Sequence, residues 1–420
     1  MLRKIVLAVI VLVALAVAML FAPWMQPLDQ TSLNSIDPAL LSAVPESATE
    51  IYVVPRFASF WRAARQNQVA GAALIDLMDR ASLSPLVLGN SPVVYWRSDE
   101  ESAVLTRLGP VRHFLASRYL GTAGRFDVYA KDDILSSGRI GESSRTLEEM
   151  TVRTVGEGHA FIIYPEKKPT FPPLGRPMLA ALNLEDDGVK IRAAGRREGA
   201  LKLLAPRVPL PLDAPMVASV GSPPEWLSDL DKIIGVDASG ALRQGFGVAL
   251  YDIETGTLSI RPKLVLVLPG DAAPLVRSLR GLSGSASRLL GGENSEQKRM
   301  VSGVEVTRTD DGVLAIESAF WKGHTLVALD EESLSKFLPA KMTVLGGDAV
   351  WTLRADPERL TPILERLRDH RVLKFVARDL QRNVSSFYRS IGRFQGSRSV
   401  EMKLAPDGEL DTLSVVVTPK

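Results

Sequence analysis

The sequence predicts an α+β fold: an N-terminal transmembrane helix followed by repeated, mostly antiparallel β-meander plus helix units. Three observations predict it. Residues Ile5–Ala22 form an uncharged run of 18 mostly aliphatic and small residues. Beyond it, alternating apolar strands arrive in consecutive hairpins, with an amphipathic segment after every second or third strand. That order belongs to antiparallel sheets, because a parallel βαβ chain needs longer crossovers and continuously apolar strands. Finally, one stretch recurs. Gly347–Leu360 runs from a short apolar strand (Ala349–Leu353) through Asp356-Pro357 into a charged amphipathic helix, and looser copies stand at Ala48–Trp61 and Ala214–Leu227. A strand-to-helix unit is therefore expected three times.

The anchor is read from length and flanks. At about 1.5 Å per residue, Ile5–Ala22 is just long enough to cross a hydrocarbon core of roughly 30 Å. Arg3 and Lys4 place the short flank in the cytoplasm, and Trp24 suits the far interface. This reading makes the chain a single-pass cytoplasmic (inner) membrane protein with an extracytoplasmic, periplasmic bulk. A cleaved signal peptide is the rival, with Ala16-Val17-Ala18 as cleavage candidate, but that triplet lies inside the apolar run rather than after it. The expected organisation is an anchor over 1–24, a spacer over 25–45, a first α+β lobe over 46–204 and a second over 205–420. The second lobe ends in a long basic helical segment and a β-hairpin. The proline-rich stretches Pro165–Pro177 and Ala205–Pro215 are the boundary candidates.

Composition narrows the chemistry. In 420 residues, 46% are apolar and 23% charged, which describes a globular protein with ample core. A net charge of +2 carries no polyanion-binding signature, so nucleic acid is not an expected partner. With no cysteine, thiolate metal sites, cysteine nucleophiles and disulfides are excluded.

In the first lobe, Glu50–Val54 alternates as a strand. Ser59 can cap a helix carrying Trp61, Ala64, Val69, Leu74, Leu77 and Met78 on one stripe. Pro92–Trp96, Ala103–Leu108 and Phe126–Ala130 read as strands, with a helix over Val111–Leu120. Thr151–Val155 and His159–Tyr164 are expected to form a hairpin across Gly156-Glu157-Gly158. Met178–Leu184 and Val189–Ala193 flank an Asp187-Gly188 turn. In the second lobe, Gly247–Tyr251 and Thr257–Leu268 are strands, a helix covers Ala272–Leu279, and Ser283–Ser295 is a Gly/Ser-rich loop. Val304–Arg308, Val313–Trp321 and His324–Leu329 form the clearest meander, turning at Asp311-Gly312 and Lys322-Gly323.

Catalytic motifs are sparse. Ser333-Leu334-Ser335-Lys336 matches Ser-x-x-Lys without its companion elements, and a capped surface helix explains it. The four histidines are far apart. His159 and His324 each open a strand after a glycine turn, at places read as equivalent in two repeats, which favours a structural turn position over a metal ligand. The acidic clusters at 99–101, 185–187 and 310–311 sit in turns, and Asp330-Glu331-Glu332 leads a helix, so solvated turns and caps account for them. No cofactor or metal is called for. The strongest contact surface is the stretch Glu358–Phe394, with nine Lys/Arg against four acids opposite an apolar stripe. Its residues Arg366, Arg371, Lys374, Arg378, Arg382 and Arg389 are the candidates for contact with a partner protein or anionic lipid.

The anchor, the strand Val44–Val54 with Phe60-Trp61 opening a helix, and Gly323–Leu329 followed by a short helix through Leu338 together resemble a family. It comprises bacterial N-terminally anchored extracytoplasmic proteins grouped only as a domain of unknown function. The resemblance covers roughly residues 40–355. It implies location and fold and brings no catalytic residues. The expected function is a non-enzymatic binding or scaffold role in the cell envelope, attached to the membrane through Ile5–Ala22 and meeting an envelope protein or lipid partner. The alternatives are an envelope hydrolase with a site assembled between repeats, and a carrier of lipid or another hydrophobic ligand.

Overall fold

A computed structural model describes residues 26–67, 88–108, 129–131, 134–137, 140–141, 149–165, 178–185, 188–197, 204–221, 242, 244–256, 260–273, 276, 295–310, 315–370, 384–385, 387–388, 391–392 and 394–420. Strands make up 52% of it and five α-helices are short, so the fold is mostly β and the α+β expectation is corrected. The longest described helix, Pro357–Asp369, has 13 residues. No described helix is long and apolar enough to cross a membrane, which overturns the transmembrane-helix and single-pass inner-membrane readings as structural statements. The run Ile5–Ala22 that carried them lies outside the described residues.

The chain divides into two compact units, residues 1–198 with 408–419, and residues 199–407 with Lys420. In the first, strands β2 (Glu50–Val54), β3 (Val93–Arg97), β4 (Ser102–Arg107), β5 (Tyr129–Lys131), β6 (Ile134–Ser136), β8 (Ala160–Tyr164), β9 (Met178–Glu185), β10 (Gly188–Arg196) and β22 (Leu410–Pro419) join in the antiparallel order β5-β6-β4-β3-β2-β8-β9-β10-β22. A two-stranded ribbon of β1 (Thr31–Ser32) and β7 (Glu157–Gly158) stands apart from that sheet. Period-two alternation puts Ile51, Val53, Val94, Trp96, Leu105, Phe161 and Leu179 on one face. That face is covered by α1 (Pro38–Ser42), α3 (Glu149–Val155) and the segment around them. Leu33, Ile36, Leu40 and Val44, from the stretch expected to be a spacer, are buried there. On α2 (Phe57–Gln66), Phe57, Phe60 and Ala64 are buried at helical spacing, while Trp61 turns outward beneath the Arg65 guanidinium.

In the second unit, β12 (Met216–Val220), β13 (Phe246–Thr255), β14 (Ile260–Pro269), β15 (Ser295–Val301), β16 (Val304–Asp310), β17 (Ala315–Trp321), β18 (His324–Ala328), β20 (Trp351–Ala355) and β21 (Ser397–Asp407) take the antiparallel order β21-β20-β12-β13-β14-β18-β17-β16-β15. A ribbon of β11 (Val208–Pro211) and β19 (Met342–Leu345) and the helix α4 (Ser333–Phe337) cover one face. Val265, Val267, Val306, Leu326, Leu334 and Phe337 are buried between these layers. Leu268, Ile316 and Val327 face the other way, with Leu242 and Val276 over them.

The two units share one connectivity. Each begins with a short outer strand (β1 or β11), then a sheet strand (β2 or β12) and a hairpin beside it (β3–β4 or β13–β14). A further hairpin lays its second strand on that edge (β5–β6 or β17–β18), and a short helix follows (α3 or α4). The second outer strand then pairs with the first (β7 or β19), and two strands return to the far side of the first sheet strand (β8–β9 or β20–β21). This resolves the threefold repeat as a twofold one. Ala48–Trp61 and Ala214–Leu227 begin equivalent strands, β2 and β12, but Gly347–Leu360 supplies β20, the counterpart of β8. Its helix α5 (Pro357–Asp369), capped by Asp356 Oδ1, ends at His370.

One local reading is corrected. Thr151–Val155 is part of α3 rather than a strand: Val152 and Val155, three residues apart, both face the core, and Gly156 at φ +77° ends the turn. The Gly/Ser-rich loop expected over Ser283–Ser295 lies outside the described residues up to Ser295, where β15 begins, a strand that is almost wholly exposed and shows no apolar alternation. The helices expected over Val111–Leu120 and Ala272–Leu279 fall wholly or largely outside the described residues.

Candidate contact surface

Among the described residues, the second unit carries a hairpin beyond the shared connectivity, β15–β16 at the edge of β17. Ser302 (φ +48°) and Gly303 (φ +80°) link its strands, and positive φ at both turn residues matches the right-handed strand twist. Val301 opposite Val304 closes the hairpin, and the register places Met300, Glu305 and Phe320 in one row across β15, β16 and β17. Met300 (67% exposed) and Phe320 (59%) thus form an apolar pair on the surface, separated by Glu305. Beside them lies a groove of about 370 Å³ lined by Asp271, Ala273, Val276, Thr307, Ser318 and Phe320.

On the opposite face, one ion pair fixes the ribbon. Glu317 of β17 is fully buried. Arg299 of β15 donates Nη2–H to Glu317 Oε2 at 3.0 Å and to the Glu331 carbonyl at 2.7 Å. Glu317 Oε1 lies 2.8 Å from the same nitrogen without completing a hydrogen bond. Burial pushes the Glu317 carboxyl above the usual carboxylate range, opposed by Arg299 and then Arg308. Arg308 is held by Asp310 (2.6 Å) and Glu331. The edge strand is therefore tied through charge to the strand two places in and to the turn before α4.

Of the sequence-designated contact residues, Arg366 lies on α5, exposed, with Nη2 donating to Asp252 on β13. Arg371, Lys374, Arg378, Arg382 and Arg389 lie outside the described residues. Ser333 and Lys336 do not meet: Ser333 Oγ donates to Asp330 Oδ2 at 2.5 Å, and Lys336 pairs with Glu332. Among the described residues no group of three metal-ligating side chains converges. His159 precedes β8 and His324 opens β18, strands with different places in the shared order, so their expected equivalence is corrected. The Met300–Phe320 pair and the Arg299–Glu317 clamp were missed by sequence reasoning. The signal available for the clamp was a lone glutamate inside the apolar strand Ala315–Trp321.

His159 has a structural role. Its N–H donates to Leu182, and its Nδ1 accepts from the Leu184 N–H at 3.0 Å, replacing a backbone carbonyl at the end of the β8–β9 ladder. Burial holds its pKa below the ordinary histidine range. The unfolded chain therefore binds the proton more tightly. Stability from this site is complete above about pH 6.5 and falls as pH drops toward the folded pKa, by up to about 1.4 kcal/mol per pH unit. Urea titrations at stepped pH are expected to show this slope in the wild type and lose it in His159→Gln.

No family model, curated protein or solved structure matches the chain.

Proposed function

We propose that this chain is a non-enzymatic binding or scaffold protein whose contact surface is the β15–β17 ribbon. The observation that carries the reading is the exposed hairpin itself. Among the described residues it has no counterpart in the first unit, its outer strand is exposed along nearly its whole length, and it sets Met300 in one cross-strand row with Phe320, across Glu305. Large exposed apolar side chains gathered in one row mark contact sites more often than singly scattered ones do. The neighbouring groove supports binding better than turnover. Thr325 Oγ1 accepts from Ala272 N–H and donates to the Gly270 carbonyl, Asp271 caps Ala273, and Glu305 holds Lys298 at 2.9 Å. Those polar groups are committed to structure, and none forms a nucleophile–base pair.

A photo-crosslinking residue at position 300 or 320, introduced in cells, is expected to give a discrete adduct that the same residue at Glu401 does not. Phe320→Asp should abolish the adduct from position 300 while changing stability by no more than about 0.5 kcal/mol. Adducts independent of position, or turnover of a substrate that is lost on mutating Asp271 or Glu305, would overturn the reading.

A further inference from the structure

We infer that the outer edge of β15 receives β15 of a second copy, the two strands pairing antiparallel about a two-fold axis through Gln297. The inference rests on the contact-surface reading and names its occupant. Among the described residues β15 pairs with β16 alone. The two-residue turn makes Val301 and Val304 a hydrogen-bonded pair. By alternation, Arg299 and Gln297 direct their backbone groups at β16, while Glu296, Lys298 and Met300 direct theirs outward.

A two-fold axis perpendicular to the sheet keeps each face continuous across the junction, so it must pass through a residue position. Centring it on Glu296, Lys298 or Arg299 sets a charge against its own copy, which destabilises a cross-strand pair. Centring it on Gln297 sets Glu296 opposite Lys298 of the other copy, and Lys298 opposite Glu296. Gln297 then meets itself and Ser295 meets Arg299. Charges on an edge strand ordinarily block pairing. Here they alternate in sign around Gln297 and complement themselves, as an isologous interface requires. Glu296 and Lys298 are also the residues whose backbone groups point outward, so they form the hydrogen-bonded pairs of the new ladder. Lys298 keeps its contact with Glu305 while gaining the second carboxylate.

The absence of cysteine makes the test clean. Gln297 would face its copy in a non-hydrogen-bonded pair, with Cα atoms about 4.5 Å apart, within the range a disulfide spans. Under mild oxidation the full-length Gln297→Cys protein is expected to form a covalent dimer. Glu296→Cys and Lys298→Cys are each expected to stay monomeric alone and to cross-link when mixed. On the Gln297→Cys background, Lys298→Glu should slow cross-linking about tenfold or more, and adding Glu296→Lys should restore it to within about twofold. If Gln297→Cys stays monomeric while position 300 still captures a different protein in cells, the second-copy assignment is overturned and the contact surface stands. If neither gives an adduct, both fail. Cross-linking at 297 that ignores the charge reversal would also overturn the register.

Discussion

Replacing Arg197 with methionine is expected to lower the stability of the first unit by about 3–5 kcal/mol. Arg197 Nε donates to Asp411 Oδ1 at 2.8 Å, and both side chains are only about one-tenth exposed (11% and 10%). Its Nη2 donates to the Leu410 carbonyl at 2.9 Å, and its backbone N–H to the Glu409 carbonyl at 2.9 Å. One residue thus fastens the start of β22, 214 positions away in sequence, against the end of β10. Without the guanidinium, Asp411 becomes a buried carboxylate facing an apolar replacement, and that uncompensated charge dominates the loss. The double variant Arg197→Met/Asp411→Leu removes both charges and should recover most of the stability, because two apolar side chains of similar volume cost little where a paired charge stood. Hydrogen exchange at Val415 and Val417 in β22 should accelerate in the single variant and return toward wild type in the double. A single-variant loss below about 1 kcal/mol would show that the pair is not what holds β22.

The sequence made the hairpins legible and the proportions of the fold illegible. Val304–Arg308 through His324–Leu329 was readable because its strands carry apolar alternation and the turn into its last strand has a glycine where positive φ is needed, as Lys322 (φ +49°) and Gly323 (φ +79°) show. Strand content was underread where alternation is missing. β15 has no buried face, and β11 contains Pro209 and Pro211, tolerated because it lies in a two-stranded ribbon with an open edge. Thr151–Val155 misled through its β-branched composition; tertiary burial of two valines three residues apart decided for helix.

The repeat was visible at the wrong order. Strand, proline and anchor recur three times locally, but only strand pairing separates β2 and β12, which hold the same place, from β20, which does not. Sheet order is a non-local property that no short pattern carries. The contact surface was hidden for a related reason. Charge count drew attention to Glu358–Phe394, whereas exposure of Met300 and Phe320 follows from a cross-strand register between residues 20 apart, and Phe320 alone reads as core. Its neighbour Trp321 is indeed inward, edge-on to Phe337 with centroids 6.0 Å apart.

Arg299→Met is expected to destabilise the second unit by about 3 kcal/mol near pH 7, with a penalty that shrinks on acidification. Burial already raises the Glu317 pKa, and Arg299 is the first of the groups opposing that rise. Removing it leaves Arg308 as the remaining cation and Asp330 as a like charge, so the carboxyl rises further. A carboxyl whose folded pKa lies above its unfolded value binds the proton more tightly in the fold. Stability is then fully present below the unfolded value of about 4.3 and is lost as pH climbs toward the folded one. The variant should therefore approach wild-type stability near pH 4.5 and fall away above it, with the difference growing through the weakly acidic range. Glu317→Gln in the Arg299→Met background removes the titrating group and should flatten that dependence while recovering much of the loss. Because Arg299 also holds the Glu331 carbonyl, the single variant should free the outer strand first. Amides of Gln297 and Val301, which point at β16, are expected to exchange faster than those of Leu326 and Val327 at the sheet centre. Uniform acceleration across all four would mean that Arg299 supports the whole sheet rather than clamping its edge, and a pH-independent loss would mean that Glu317 keeps its charge without it.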